Sequence, residues 1–472
     1  MKPLLLLCIF LPAICIPSAA ATPPNIIIIF MDDLGYGDIG PFGATKQKTP
    51  NLDRMAKEGM KLTSFYAAPV CSVSRAQLLT GCYGPRIDVP GVYSPGDAKG
   101  LNPEEFTIAE RLKPLGYATM CIGKWHVGDQ PEFLPTKQGF DHYFGIPYSN
   151  DMQRTSTESG KHVTPLLRGD KVAELLTDGE QAEIVARYTE EAVGFITANK
   201  DSPFFLYLPH TAIHTPIFPG ENFQGKSGNG RVGDWIEEID WSTGRLLDTL
   251  RDLKLADNTL VIFTSDNGPW LIKEKDSGSA EPLRGGKGST WEGGVREPTL
   301  AWWPGKIPPD TSVDTVAGTI DLLPTAIAMA GGTLPDQPVI DGRDISPLLF
   351  GKTTEPAREA HYYFSGYQVQ AVRQGPWKLA LVPQNETMGR PVKPDADTKS
   401  PRLYNLDEDI AERINLAESN PEIVSRLSAL ATKMNAEIGG AKPAARRPAG
   451  MVKNPKILYP SEPPQRRKAK PQ

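Results

Sequence analysis

Four apolar runs stand out along the chain, at residues 25–30 (NIIIIF), 117–122, 204–208 and 260–264. They are rich in β-branched and aromatic residues and do not alternate with polar ones. That is the pattern of strands buried on both faces of a parallel sheet. Between them, residues 103–111, 181–198 and 233–253 carry apolar side chains at helical spacing. Strands alternating with helices predict a doubly wound α/β sheet.

The residues after each run are polar. They read Met31-Asp32-Asp33, Gly123-Lys124-Trp125-His126, Pro209-His210-Thr211-Ala212-Ile213-His214 and Ser265-Asp266-Asn267-Gly268. Ligand sites of open α/β sheets lie beyond the carboxyl ends of the strands. One polar strand end is ordinary loop chemistry, whereas four together predict a shared site. Past a helix at 321–332 the pattern changes. Residues 361–364, 368–373 and 377–382 read as short antiparallel strands, and 420–438 as a helix. The expected organisation is a main α/β domain over residues 22–350 and a smaller α+β domain over 351–440. A Pro-rich basic tail over 441–472 has no means of burying a core and is expected to be disordered.

Residues 1–21 place a lysine before an apolar run that closes on small residues, the pattern of a cleaved secretory signal peptide. Pro12 and Pro17 interrupt the run, which is shorter than the ~20 residues of a membrane span. The protein is therefore expected to be secreted or periplasmic, with no stable membrane anchor. Three of the five cysteines follow the leader: Cys71, Cys82 and Cys121. An odd number in an exported chain leaves at least one unpaired.

Composition adds limits. With 39% hydrophobic and 23% charged residues in 472, a large core is available and wholesale disorder is excluded. The net charge is −5. The tail carries nine Lys/Arg against one Glu, so the body is acidic, which argues against nucleic-acid binding.

Asp32 and Asp33 after one strand, with Asp266 and Asn267 after another, are hard oxygen ligands suited to Ca²⁺ or Mg²⁺. No Cys/His pair stands at zinc-ligand spacing. The stretch CSVSRAQLLTG, from Cys71 to Gly81, can start a helix at its amino end. Backbone N–H groups and Arg75 there favour an anion. A bare Cys71 thiolate would also fit such a position.

Here the sequence resembles the sulfatase family of the formylglycine-dependent type, in its arylsulfatase A-like branch. The family signature is C-x-P-S-R-x-x-x-x-T-G, and Val73 stands where the family has Pro. MDDLGYGD, GKWHVGD, GIPYSND, AIHTPIFP, TSDNGP and RGGKGSTWEGGVREP follow in the family's order. The resemblance implies an alkaline-phosphatase-like fold: a mixed, mostly parallel sheet sandwiched by helices, with a smaller C-terminal antiparallel sheet and helix.

The resemblance also implies a sulfuric ester hydrolase acting on an aryl or carbohydrate sulfate. Cys71 would be converted to formylglycine (3-oxoalanine) by a formylglycine-generating enzyme. The hydrated aldehyde offers one hydroxyl to attack sulfur and a second whose deprotonation releases sulfate. Asp32, Asp33, Asp266, Asn267 and the Cys71-derived side chain would hold Ca²⁺ as a Lewis acid. Arg75 would hold the hydrate. Lys124 and Lys287 would grip sulfate oxygens. His126 would take the second hydroxyl's proton, and His214 would serve the leaving oxygen. Ser149 would hydrogen-bond nearby.

His210 competes with His214, which heads the family's H-x-P pattern. His142, His162 and His361 read as structural. Trp270 and Trp291 either line a cleft or cover the sheet edge. Two rivals remain: a phosphate or phosphonate monoester hydrolase on the same scaffold, and a non-catalytic anion- or glycan-binding protein.

Overall fold

The computed structural model describes residues 22–390, 401–441 and 443–462. Residues 1–21, where the leader is expected, and residues 463–472 of the tail lie outside them. The central sheet runs in the order Thr311–Val313, Met60–Tyr66, Arg296–Trp302, Thr259–Ser265, Asn25–Met31, Phe204–Pro209, Ala118–Ile122, His142–Gly145, His162–Arg168 and Arg154–Thr155. The five neighbours from Thr259–Ser265 to His142–Gly145 are parallel. Antiparallel strands flank them on both sides.

Side-chain alternation along Asn25–Met31 explains its continuous apolar run. Ile26, Ile28 and Phe30 enter one apolar layer with Leu78, Leu79, Ile108 and Leu323. Ile27, Ile29 and Met31 enter the opposite layer with Tyr188, Ile239 and Leu246. Helices Cys71–Thr80 and Leu322–Met329 therefore cover one face, and Ile184–Ala198 and Gly230–Asp252 the other. All four apolar runs sit side by side, on Thr259–Ser265, Asn25–Met31, Phe204–Pro209 and Ala118–Ile122, and their carboxyl ends open on one edge.

The C-terminal region forms a four-stranded antiparallel sheet, in the order His361–Ser365, Gln368–Gln374, Trp377–Ala380, Arg402–Asn405. Leu427 and Ala431 of helix Pro421–Glu437 pack on Val372, Leu379 and Leu403 of that sheet.

The tail departs from the expectation of disorder over residues 443–462. Gly450–Met451 pairs with Lys99–Gly100. Arg447 forms an ion pair with Glu105 at 2.6 Å. Gln130 and Lys456 exchange two hydrogen bonds, and the buried Tyr459 hydroxyl donates to the Val163 carbonyl at 2.9 Å. The tail has no core of its own, so its backbone and aromatic groups are satisfied against the main sheet's surroundings. Cys71, Cys82 and Cys121 are all buried and unpaired. Among the described residues no helix is long and apolar enough to cross a membrane.

Candidate active site

Extended hydrogen bonding carries the strand register into the site. Met31 pairs with Ser265, so Asp32 and Asp266 emerge side by side. Asp266 N donates to Met31 O at 3.0 Å, and Asp32 N to Ala212 O at 2.9 Å. Lys124 N donates to Pro209 O at 2.6 Å. Gly123 permits this approach: it sits at φ +127°, and a Cβ there would fall 1.9 Å from Pro209 O. Asp33 and His126 both adopt φ +62°, a conformation that non-glycine residues adopt sparingly and that clusters at functional sites.

Cys71 opens helix Cys71–Thr80, after the extended Val70. Its Sγ lies 3.4 Å from Asp32 Oδ1. Ser74 fastens this helix to the neighbouring strand end: its hydroxyl accepts from Ala68 N at 2.8 Å and donates to the Asp266 carbonyl. Arg75 is fully buried. It reaches Asp266 Oδ2 at 2.8 and 3.1 Å and the Lys124 carbonyl at 2.8 Å.

Each adjacent aspartate takes one lysine. Lys124 Nζ donates to Asp32 Oδ2 at 2.5 Å and to Ser149 Oγ at 3.2 Å. Lys287 Nζ donates to Asp33 Oδ1 at 2.6 Å. Burial alone would raise the Asp32 pKa, but Lys124, His214 and Arg75 outweigh it and hold the carboxyl below its usual range. Lys287 is pushed up: burial opposes its charge, and Asp33 foremost restores it. Burial and then Lys124 and Arg75 hold His126 well below the usual histidine range. Its Nε2 lies 3.0 Å from the Tyr93 carbonyl, which can only accept, so Nε2 carries the proton and Nδ1 keeps a free lone pair. His214 is lowered by burial and by Lys287. Its Nδ1 donates to the Thr215 carbonyl at 2.6 Å, leaving Nε2 3.7 Å from Asp33 Oδ2.

The Cys71 thiol is pushed up by burial, then by Asp266 and Asp32. The carboxylates and the dry setting thus oppose the thiolate form that a helix start would favour.

The donor set fits a hard divalent cation. Ligand atoms of Asp32, Asp33, Cys71 and His214 all lie within 4.8 Å of one another. Asp33 Oδ2 and Asn267 Oδ1 are buried without a hydrogen-bond partner. Two unpartnered buried oxygens beside further carboxylates are what Ca²⁺ or Mg²⁺ would satisfy. Asn267 Nδ2 donates to Asp33 Oδ1 at 2.7 Å, and Asp266 Oδ1 accepts from Asp33 N at 3.3 Å. Both expected partners of the aspartate pair therefore adjoin it. His214 also enters this cluster, although the sequence suggested it only as a partner of the leaving group.

Residues 24–332 match the Sulfatase family profile, and residues 356–456 match the C-terminal region of aryl-sulfatase. The chain belongs to the sulfatase family. It is 40% identical to arylsulfatase A of Bos taurus, over 86% of this chain and 85% of that protein. It is 37% identical to N-acetylgalactosamine-6-sulfatase of Sus scrofa, over 87% and 85%. Among solved structures, the PsFucS1 sulfatase from Pseudoalteromonas sp. superimposes with a TM-score of 0.81 at 30% identity, covering 88% of this chain and 90% of that one.

In this sulfatase the residues singled out from sequence converge. Asp32, Asp33, Cys71, Arg75, Lys124, Ser149, His214, Asp266, Asn267 and Lys287 form one contact network. His126 stands on the Lys124 loop beside it. His210 is buried apart, with neither ring nitrogen hydrogen-bonded, which favours His214. Trp270 walls the site, its ring centroid 5.1 Å from Lys287 Nζ. Trp291 instead packs on Tyr404 and Arg284. Sequence reasoning missed three neighbours. Tyr93 holds His126 by a backbone carbonyl, which no side-chain pattern reveals. Asp151 lies 4.0 Å from His214 Nδ1 and ends the GIPYSND block. Met388 accepts from Trp270 Nε1 at 3.1 Å and comes from the C-terminal region, whose loops have no motif.

Proposed function

We propose that this sulfatase hydrolyses an aryl or carbohydrate sulfate with formylglycine, derived from Cys71, as nucleophile and Ca²⁺ as Lewis acid. The supporting observation is the buried thiol at a helix start, 3.4 Å from Asp32, ringed by Arg75, Lys124 and Lys287. A formylglycine-generating enzyme would act on Cys71 during export, in keeping with the leader-like residues 1–21. The hydrated aldehyde would supply an oxygen nucleophile for sulfur and a second hydroxyl for expelling sulfate from carbon. Asp32, Asp33, Asp266 and Asn267 would hold Ca²⁺, which would supply Lewis acidity toward the sulfuryl group.

The chain's own groups do the rest. Lys124 and Lys287 donate to sulfate oxygens where charge builds in the transition state, in a site too dry for water to screen them. Arg75 orients side chain 71 while locked on Asp266. His126 Nδ1, with its lone pair free, takes a proton from a hydroxyl on side chain 71. His214 Nε2 serves the leaving oxygen and acts as its acid in the imidazolium form, because in the neutral ring the proton sits on Nδ1 against the Thr215 carbonyl, and Ser149 steadies both Lys124 and His214. The N-acetylgalactosamine-6-sulfatase relatives favour a sulfated sugar as substrate.

The test compares one aryl leaving group as its sulfate and as its phosphate. Preference for the sulfate is expected. Preference for the phosphate would favour a phosphomonoesterase and reject the reading.

A further inference from the structure

Lys287 sits in the run Arg284-Gly285-Gly286-Lys287-Gly288-Ser289. Gly285 and Gly288 are left-handed, at φ +79° and +80°. A backbone this free does not by itself hold a long side chain to a fixed point. The loop must be pinned from outside, and its hydrogen bonds identify the pins. Lys287 N donates to Pro269 O at 2.9 Å, beside the metal-ligand pair, and Gly288 N donates to Pro69 O at 2.7 Å, beside Cys71. Three further bonds come from the far end of the chain. Gly286 N donates to Glu386 O at 2.9 Å, and Met388 N donates to Lys287 O at 2.6 Å. Thr387 Oγ1 donates to that same Lys287 carbonyl at 3.1 Å. Met388 also occupies the space a Cβ on Gly288 would need, 2.7 Å away.

We infer that Thr387 is a positioning residue for the sulfatase reaction. The turn at residues 386–388, delivered by the C-terminal antiparallel sheet, sets the Lys287 ammonium on the sulfuryl group. Thr387 is the one side chain in that turn that grips the Lys287 backbone. It is 1% exposed, so its hydroxyl bond is shielded from competing water. It touches neither Asp33 nor the Cys71 thiol, and acts only through the lysine. The C-terminal region thereby completes the site without supplying a reacting group. The inference rests on the reading of Lys287 as a cation that stabilises the transition state.

The test uses the full chain, produced with Cys71 converted and supplied with Ca²⁺, and an aryl sulfate substrate. Thr387→Val keeps the shape and deletes the donor, while Thr387→Ser restores it. In Thr387→Val, kcat should fall about tenfold with KM within about twofold, since a small misplacement costs rate more than binding. Thr387→Ser should recover most of that loss. In a Lys287→Ala background, Thr387→Val should cost nothing further, because the two residues act as one unit. Thermal unfolding of each variant separates a folding defect from a positional one. Equal kcat in Thr387→Val and the parent, no rescue by serine, or full additivity with Lys287→Ala would overturn the inference. Unimpaired turnover in Lys287→Ala would instead reject the role given to the lysine.

Discussion

Lys124 and Asp32 meet at 2.5 Å between Nζ and Oδ2, both completely buried. The bond joins the carboxyl ends of two strands that are not neighbours, since Phe204–Pro209 lies between them. A charged pair without solvent contact is expensive to bury and weak evidence for stability. Its position beside Cys71 gives it a chemical purpose instead. Lys287 and Asp33 repeat the arrangement, so two cations bracket the thiol from opposite loops.

Lys124→Ala and Lys287→Ala should each lower kcat on an aryl sulfate by about 10²–10³-fold. Calcium binding, followed by titration calorimetry, should persist in both, because neither lysine is a metal ligand. Loss of calcium binding alongside activity would recast the lysines as scaffolding for the metal site.

Chelation should abolish turnover, and added Ca²⁺ should restore it. Asp33→Ala should lose calcium binding while its far-ultraviolet circular dichroism stays native. The carboxylate offers a buried Oδ2 without a hydrogen-bond partner, and its removal leaves the Lys287 cation unpaired. Turnover that survives complete metal removal would refute the Lewis-acid role.

A pH dependence of stability is expected at Glu238, away from the site. Burial raises its pKa from 4.5 to about 7, against one hydrogen bond from Gly220 N. Below pH 4.5 both folded and unfolded chains hold the proton, and the group contributes nothing. Between 4.5 and 7 the unfolded chain releases the proton first, so stability falls as pH rises. Above 7 the penalty is complete, at about 3 kcal/mol by the usual conversion of pKa shift to free energy. Glu238→Gln should therefore raise the melting temperature at pH 8 and leave it unchanged at pH 4. An equal effect at both pH values would contradict this.

The four buried parallel strands were legible because each is a long uninterrupted apolar run, and the site because polar residues cap each one. The antiparallel partner Arg296–Trp302 was not. It begins Arg-Glu-Pro, and its buried charges hide the apolar pattern: Arg296 donates to the Thr63 carbonyl and to Glu292, while the buried Glu297 carboxyl oxygens have no hydrogen-bond partner. Arg402–Asn405 is too short to show a period. The order in the tail depends on long-range pairing with Lys99–Gly100, which local composition does not encode. The pinning of Lys287 by Thr387 spans 100 residues and leaves no local trace either. Local chemistry was readable, then, and contacts made through backbone carbonyls were not.

The most direct measurement is the mass of the proteolytic peptide containing Cys71, from active protein made in a host able to convert it. An aldehyde at position 71 is expected, with the peptide lighter by a sulfur and two hydrogens and heavier by an oxygen. Fully active protein whose position 71 is still a thiol would contradict the mechanism.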